Sequence, residues 1–263
     1  MNENVDIFVY SHIPFVPKVS NPVYKILTNS HDDFPSNIPI GIFRDYTGDN
    51  ISDENLMYNE YSGLYWIWKN YPVKEFVGLN HYRRYYSWLD NLPDISKIME
   101  KNRIILNSPV KFIEGGLHQK HNNYTWYGFW HNHEDFELLE KVFKEHFKDY
   151  MNGFEKMKKA EYLYNSSMFI MRHDDFYKFM DFIFDVLHEY MKAHNFRNHQ
   201  DCIDWVNANK DKYLKRYLQY YDVTMQSRIV GYIAERAMNA YIMNGDNSIE
   251  NNAFIEPWVF YSN

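Results

Sequence analysis

The sequence predicts an α/β fold, a mixed sheet flanked by helices with a helix-rich C-terminal part. Three observations carry that reading: short β-rich runs at 5–10 (VDIFVY), 75–80 (EFVGLN) and 103–106 (RIIL), amphipathic stretches at 53–70 and 174–193, and strands concentrated early with helices late. The first run reads as a buried strand, and Pro14, Pro17 and Pro22 forbid a helix directly after it. A second strand is expected at 38–43. Gly48-Asp49-Asn50 is turn chemistry, and Asn50 or Ser52 can cap the helix over 53–70, whose inner stripe is Met57, Tyr61, Leu64 and Trp68. Residues 75–80 give a third strand, 94–101 a helix and 103–106 another strand. Residues 107–130, rich in Gly, His and Asn without a period, read as a long loop. A charged helix at 134–151, a strand-like run at 162–171, a long helix at 174–193 and a last helix at 226–242 complete the chain.

The chain has 263 residues, 45% hydrophobic and 24% charged, so it reads as one globular domain over 1–263 rather than a disordered polymer or a rod. With 10 Gly and 9 Pro, no flexible linker divides it. A net charge of −7 excludes a general nucleic-acid binder, which needs a basic face. Cys202 is the only cysteine, so there is no internal disulfide and no thiolate cage. The N-terminus lacks the basic flank and apolar core of a signal peptide, and no run approaches eighteen apolar residues. The expected location is the cytoplasm.

The segment richest in chemistry is 76–85, FVGLNHYRRY. An apolar strand runs straight into His81, Arg83 and Arg84, and ligands of open α/β sheets bind beyond the carboxyl ends of strands. If strand alternation persists, His81, Arg83 and Tyr85 point one way and Tyr82 and Arg84 the other. One guanidinium then faces a pocket, where its planar fork suits phosphate, and the other meets a carboxylate; two arginines in surface salt bridges are the simpler alternative. Glu60 sits at the edge of the buried helix stripe and needs a partner, either an arginine from the next strand or a ligand hydroxyl. On the last helix, Ile229, Ile233, Ala237 and Tyr241 form the apolar stripe, while Arg228 and Glu235 share another face with Gly231 as a notch between them. Histidines 118, 121, 131 and 133 raise metal binding, but His131-x-His133 alone is a weak ligand pattern, and no metal site is assigned.

Taken together, VDIFVYSHIPF at the start, Arg44-Asp45, GDNIS (48–52), Asn59-Glu60, GLYWIWKN (63–70), FVGLNHYRRYY (76–86), the His131 region, Asn165 with MFIM (168–171), and Gln226-x-Arg228-x-x-Gly231-x-x-x-Glu235-Arg236 resemble a bacterial family of capsule, exopolysaccharide and O-antigen synthesis proteins. That family was catalogued as a domain of unknown function and includes galactofuranosyltransferases. Family members often carry Glu-Leu-Thr where this chain has Glu60-Tyr61-Ser62. The resemblance implies a GT-A-like, Rossmann-related core and a nucleotide-sugar donor, with UDP-galactofuranose first. It also implies a glycan acceptor, lipid-linked at the inner membrane face.

Many GT-A enzymes hold the diphosphate through a metal on Asp-x-Asp, and this sequence contains no Asp-x-Asp. The expectation is therefore metal-independent transfer without a cofactor, in which Arg83 or Arg84 with His81 balances the departing UDP, and the galactofuranose transfer the resemblance implies, from an α-linked donor to a β product, is inverting. Glu235 is the first candidate base, then Asp201, then Asp49. Ser11, His12, Asp45 and Asp49 are expected at the nucleotide, and Glu60, His131, Asn165, Met168, Gln226 and Arg228 at the sugar or acceptor. The alternatives are a retaining hexopyranosyltransferase using UDP-galactose or UDP-glucose, and a non-catalytic carbohydrate-binding subunit. The lysine-rich stretch 134–159 allows peripheral contact with anionic lipid, although its interspersed acids suit a solvated surface helix better.

Overall fold

β1 (Val5–Ser11) is buried along its whole length, as a β-branched and aromatic run covered on both faces must be. It pairs in parallel with β2 (Tyr24–Thr28) on one side and β4 (Phe76–His81) on the other. The computed structural model describes residues 2–112, 121–213, 222–246 and 248–262. β3 (Gly41–Arg44) extends the parallel side. β9 (Phe169–Arg172) enters antiparallel between β4 and β6 (Ile104–Asn107), and β10 (Ala253–Glu256) closes that edge. Among the described residues the order is β10-β6-β9-β4-β1-β2-β3. β4 turns back through Tyr82-Arg83 into β5 (Arg84–Tyr86), which pairs with β11 (Trp258–Phe260). A separate two-stranded piece joins β7 (Val110–Lys111) to β8 (Tyr162–Leu163).

Alternation along β1 divides the core. Phe8 and Tyr10 face the larger cluster, built with α2 (Tyr61–Asn70), α5 (His133–His146), α6 (Met151–Lys159), α7 (His173–His194) and α10 (Ile229–Ile242). Val5, Ile7 and Val9 face a smaller one with Tyr85, Tyr86 and α3 (Ile95–Met99). This is the expected α/β class, a mixed sheet flanked by helices.

Several elements differ from the sequence reading. The helix expected over 53–70 breaks into a 3-10 turn, α1 (Asn55–Tyr58) and α2, because Asn59 takes φ +56°. The long loop contains α4 (Asn123–Trp130), started by a capping box in which Asn122 and Thr125 bond each other's backbone. The run 162–171 is two strands separated by a turn in which Ser166 and Ser167 both have positive φ. The last helix starts as short α9 (Val223–Gln226) and restarts at Ile229. α8 (His199–Ala208) lies between α7 and α9.

Candidate functional site

The parallel strands β1 and β4 both end at one side of the sheet, where a cavity of about 420 Å³ opens, within the range of small-ligand sites. A cavity of about 450 Å³ lies elsewhere on the surface, between Asn2, Pro22, Lys74 and Pro93. The first is the one in which histidines, arginines and carboxylates converge.

β4 and the β4–β5 hairpin deliver His81 and Arg84, and both line the cavity. The strand does not continue through Arg83 as the alternation rule assumed. The two-residue turn makes His81 pair with Arg84 across the ladder, and residues directly opposite in an antiparallel pair share a face. Arg83 occupies the turn instead, its guanidinium over the Tyr82 ring, and meets no carboxylate within 4 Å among the described residues. The Arg84 guanidinium lies over the Trp258 and Phe260 rings at 5.7 and 5.5 Å, and its buried Nε has no acceptor among the described residues. Burial and then Arg83 pull its pKa below the usual arginine value, opposed by Glu235 and Glu60. His81 Nδ1 accepts from the Arg83 backbone N–H at 3.1 Å. Burial, then the two arginines, hold His81 down at about 3, so it is neutral and contributes no positive charge.

α10 supplies the opposite wall: Arg228, Gly231, Tyr232, Glu235 and Arg236. Gly231 leaves room there for Asn59, since a Cβ at that position would sit 1.9 Å from Asn59 Nδ2 and would push that side chain aside. Arg228 Nε in turn donates to Asn59 Oδ1. Glu235 accepts from the Ser166 N–H at 2.6 Å and from Arg236 Nη1 at 3.0 Å. Burial pushes the Glu235 carboxyl above the usual range, with Glu60 adding to the rise and Arg236 opposing it. Glu60 is partnered by Ser167 Oγ at 3.0 Å rather than by an arginine. Two consecutive non-glycine residues in the left-handed region are costly. Here they aim the Ser166 amide and the Ser167 hydroxyl at two carboxylates.

His131 follows α4 and lines the cavity, stacked on Tyr232 at 4.2 Å. Gln226 is buried and holds the His131 ring at 2.9 Å. Asn165 lines the cavity, and Asn107 donates to it at 3.3 Å. The remaining wall is apolar and largely aromatic, with Phe112, Trp126 and Trp130 beside Val110, Leu163 and Met225. These residues, with Ser166 and Tyr232, were not singled out from sequence, and Asn59 and Arg236 entered only as parts of the resemblance motifs, with no role assigned. For Trp126 and Trp130 the available signal was their i, i+4 spacing behind the Asn122 cap.

Other sequence candidates lie elsewhere. Asp201 is ion-paired with exposed Arg197 in the first turn of α8 and does not line the cavity. Asp49 accepts from Tyr65 Oη at 3.1 Å in an exposed turn, also outside the cavity. Asp45 is buried, accepting from Tyr10 Oη and Ser52 Oγ at 3.1 and 2.7 Å, and does not line the cavity. Ser11 closes a turn with Ile13, its Oγ donating to the carbonyl at 2.6 Å. His12 packs edge-on to Tyr82, and burial, then Arg228 and Arg83, lower its pKa. Met168 is fully buried in the smaller core, because its side chain points to the sheet face away from the cavity. Among the described residues no three His, Cys, Asp or Glu side chains converge to hold a metal. His118 lies outside the described residues. No helix among them is long and apolar enough to cross a membrane. On α5 and α6, Lys144 and Lys158 both pair with Glu140, and Lys159 with Glu155.

Comparison with known proteins adds a family and a fold. The model described as "Domain of unknown function (DUF4422)" matches residues 6–206, ending before the helix that carries Arg228, Glu235 and Arg236. No curated protein matches the chain. A solved structure titled as the apo form of the bifunctional glycosyltransferase WbbM is similar with a TM-score of 0.74 and 23% identity. The likeness covers 99% of this chain and 46% of that one, so this chain spans under half the length of its structural neighbour.

Proposed function

The chain belongs to the DUF4422 family, and from that premise and the cleft at the carboxyl ends of β1 and β4 we propose that it is a glycosyltransferase. It takes a nucleotide-sugar donor, UDP-galactofuranose first, and transfers the sugar to a glycan hydroxyl with inversion. Arg84 carries the reading: a partly buried guanidinium whose Nε has no partner among the described residues, at the start of β5, lining a cavity shared with the Glu235 carboxylate that Arg83 does not line. A cation about 4 Å from a phosphate charge is worth on the order of 4 kcal/mol at an effective dielectric near 20, and that stabilisation grows as charge builds on the leaving group. Arg228 and Arg236 add positive potential from the facing helix.

In the proposed reaction the acceptor oxygen forms a bond to the anomeric carbon as the bond to the diphosphate oxygen breaks. UDP leaves with the electron pair, and the acceptor proton passes to a base. Glu235 is the assigned base, because its raised pKa makes it a better proton acceptor than an exposed carboxylate. Counter-charge from arginines makes a divalent cation unnecessary for UDP departure. The fold likeness to a glycosyltransferase and the sequence resemblance support the reaction class; the donor rests on the resemblance. Incubating the chain with UDP-galactofuranose and galactoside acceptors in EDTA tests it. UDP release with a β-linked product is expected. Absence of transfer across UDP-sugars, or strict dependence on manganese, contradicts it.

A further inference from the structure

The two neutral histidines of the cleft are wired in opposite senses. Gln226 Nε2 donates to the Trp130 carbonyl at 2.9 Å. A carbonyl oxygen cannot donate, so the amide orientation is fixed and Oε1 faces His131 Nδ1, 2.9 Å away. An amide oxygen only accepts, so His131 carries its proton on Nδ1 and keeps a lone pair on Nε2. At His81 the partner is the Arg83 backbone N–H, which can only donate. His81 Nδ1 therefore holds the lone pair, and its proton sits on Nε2. Burial keeps both rings neutral, each near 3. Both residues line the cavity, and neither Nε2 has a hydrogen-bond partner among the described residues.

We infer that the cleft presents a fixed donor, His81 Nε2–H beside Arg84, and a fixed acceptor, His131 Nε2, and thereby selects a phosphorylated sugar bound in one direction. The anionic end lies at His81 and Arg84, and a sugar hydroxyl donates to His131. A neutral imidazole with a lone pair cannot receive a phosphate oxygen, which also only accepts, so the reversed orientation leaves lone pairs facing each other. Gln226 is a positioning residue, acting only through the His131 tautomer. The ligand polarity rests on the transferase reading; the two tautomers do not.

Long-range imidazole nitrogen spectra of the ¹⁵N-labelled chain, with His81→Gln and His131→Gln variants to assign the signals, read the tautomers directly. The expected pattern is a protonated Nε2 at His81 and a protonated Nδ1 at His131, unchanged from pH 7.5 to 5.5. The opposite tautomer at either ring, or protonation of either at pH 6, overturns the inference. Calorimetric titration with UDP and with UDP-galactofuranose then tests direction. His131→Phe is expected to weaken the UDP-sugar at least tenfold while leaving UDP unchanged, and His131→Gln, which retains an acceptor, to recover most of the loss. Equal weakening of UDP and UDP-sugar by His131→Phe overturns the assigned direction. If the wild-type chain binds neither probe while the tautomers hold, the transferase reading and the ligand polarity fall together, and the donor–acceptor wiring stands.

Discussion

Arg83 and Arg84 are neighbours in sequence and both have a buried Nε without a partner among the described residues, but only Arg84 lines the cavity. Arg84 is opposite His81 on the cavity side of the hairpin, while Arg83 sits at the turn over Tyr82. Losing one preorganised donor to a developing anion typically costs about 10²–10³ in rate. Arg84→Ala is therefore expected to lower kcat by about 10²-fold or more in a UDP-release assay, and Arg83→Ala by less than about tenfold. Equal losses would contradict the assignment of the counter-charge to Arg84. The sequence reading brought attention to HYRR because a strand ending in two arginines is uncommon. It could not say which arginine faces the cleft, because a two-residue turn replaces alternation by cross-strand pairing, and nothing local in Tyr82-Arg83 announces that turn. Asp201 illustrates a different failure. A lone acidic residue near a helix start has no sequence mark separating a base from an ion-pair partner, and Arg197 decides the matter here.

At the scale of elements, α10 and the kinked α1–α2 segment form one construction. Asn59 turns the chain at positive φ, fits against Gly231 and accepts from Arg228. Gly231→Ala forces a Cβ into that side chain. Overpacking of this kind costs about 1–3 kcal/mol, and it displaces Asn59 and Arg228 together. The expected outcome is a lower Tm with a larger fractional loss of transfer, read by thermal unfolding and by UDP release. A variant with unchanged Tm and activity would remove the notch from the account. Gly231 was legible as a notch, since a glycine inside a helix is unfavourable unless something approaches it. Its partner was not, because the helix pattern through Met57, Tyr61 and Leu64 gives no sign of the break at Asn59. Helix α4 was hidden for a related reason: aromatic residues on every side leave no apolar stripe, and only the Asn122–Thr125 cap marks its start.

For the whole molecule, the cleft gathers Asn59, Glu60, His81, Arg84, His131, Asn165, Ser166 and the Arg228, Gly231, Tyr232, Glu235 and Arg236 face of α10 at one end of the sheet. The class of fold could be read from strands and helices alternating along the chain. The sheet order could not, because β2, β10 and β11 are short and the antiparallel insertion of β9 depends on pairings distant in sequence. The price of a buried cleft with neutral histidines is a dependence of stability on pH. His81 and His131 take up protons near 6.5 when unfolded but only near 3 when folded. The native chain thus binds fewer protons across that window, so stability is intact above pH 6.5 and falls as pH drops towards 3. At pH 5.5 the loss is about 1.4 kcal/mol per histidine. Asp45, Asp135 and Glu235 have raised values and act in the opposite sense, losing stability as pH rises. The comparison of His131→Gln with the wild type between pH 7.5 and 5.5 therefore isolates the histidine share, and a smaller fall in Tm for the variant is expected. An identical fall in both proteins would show that His131 is not held neutral. The central claim, that the Arg84 guanidinium in the β4–β5 hairpin receives a nucleoside diphosphate without a metal, is tested most directly by titrating UDP into wild-type and Arg84→Ala protein in EDTA by calorimetry. Binding to the wild type with at least tenfold weaker binding to the variant is expected, and equal affinity for both, or no binding to the wild type, would contradict the account.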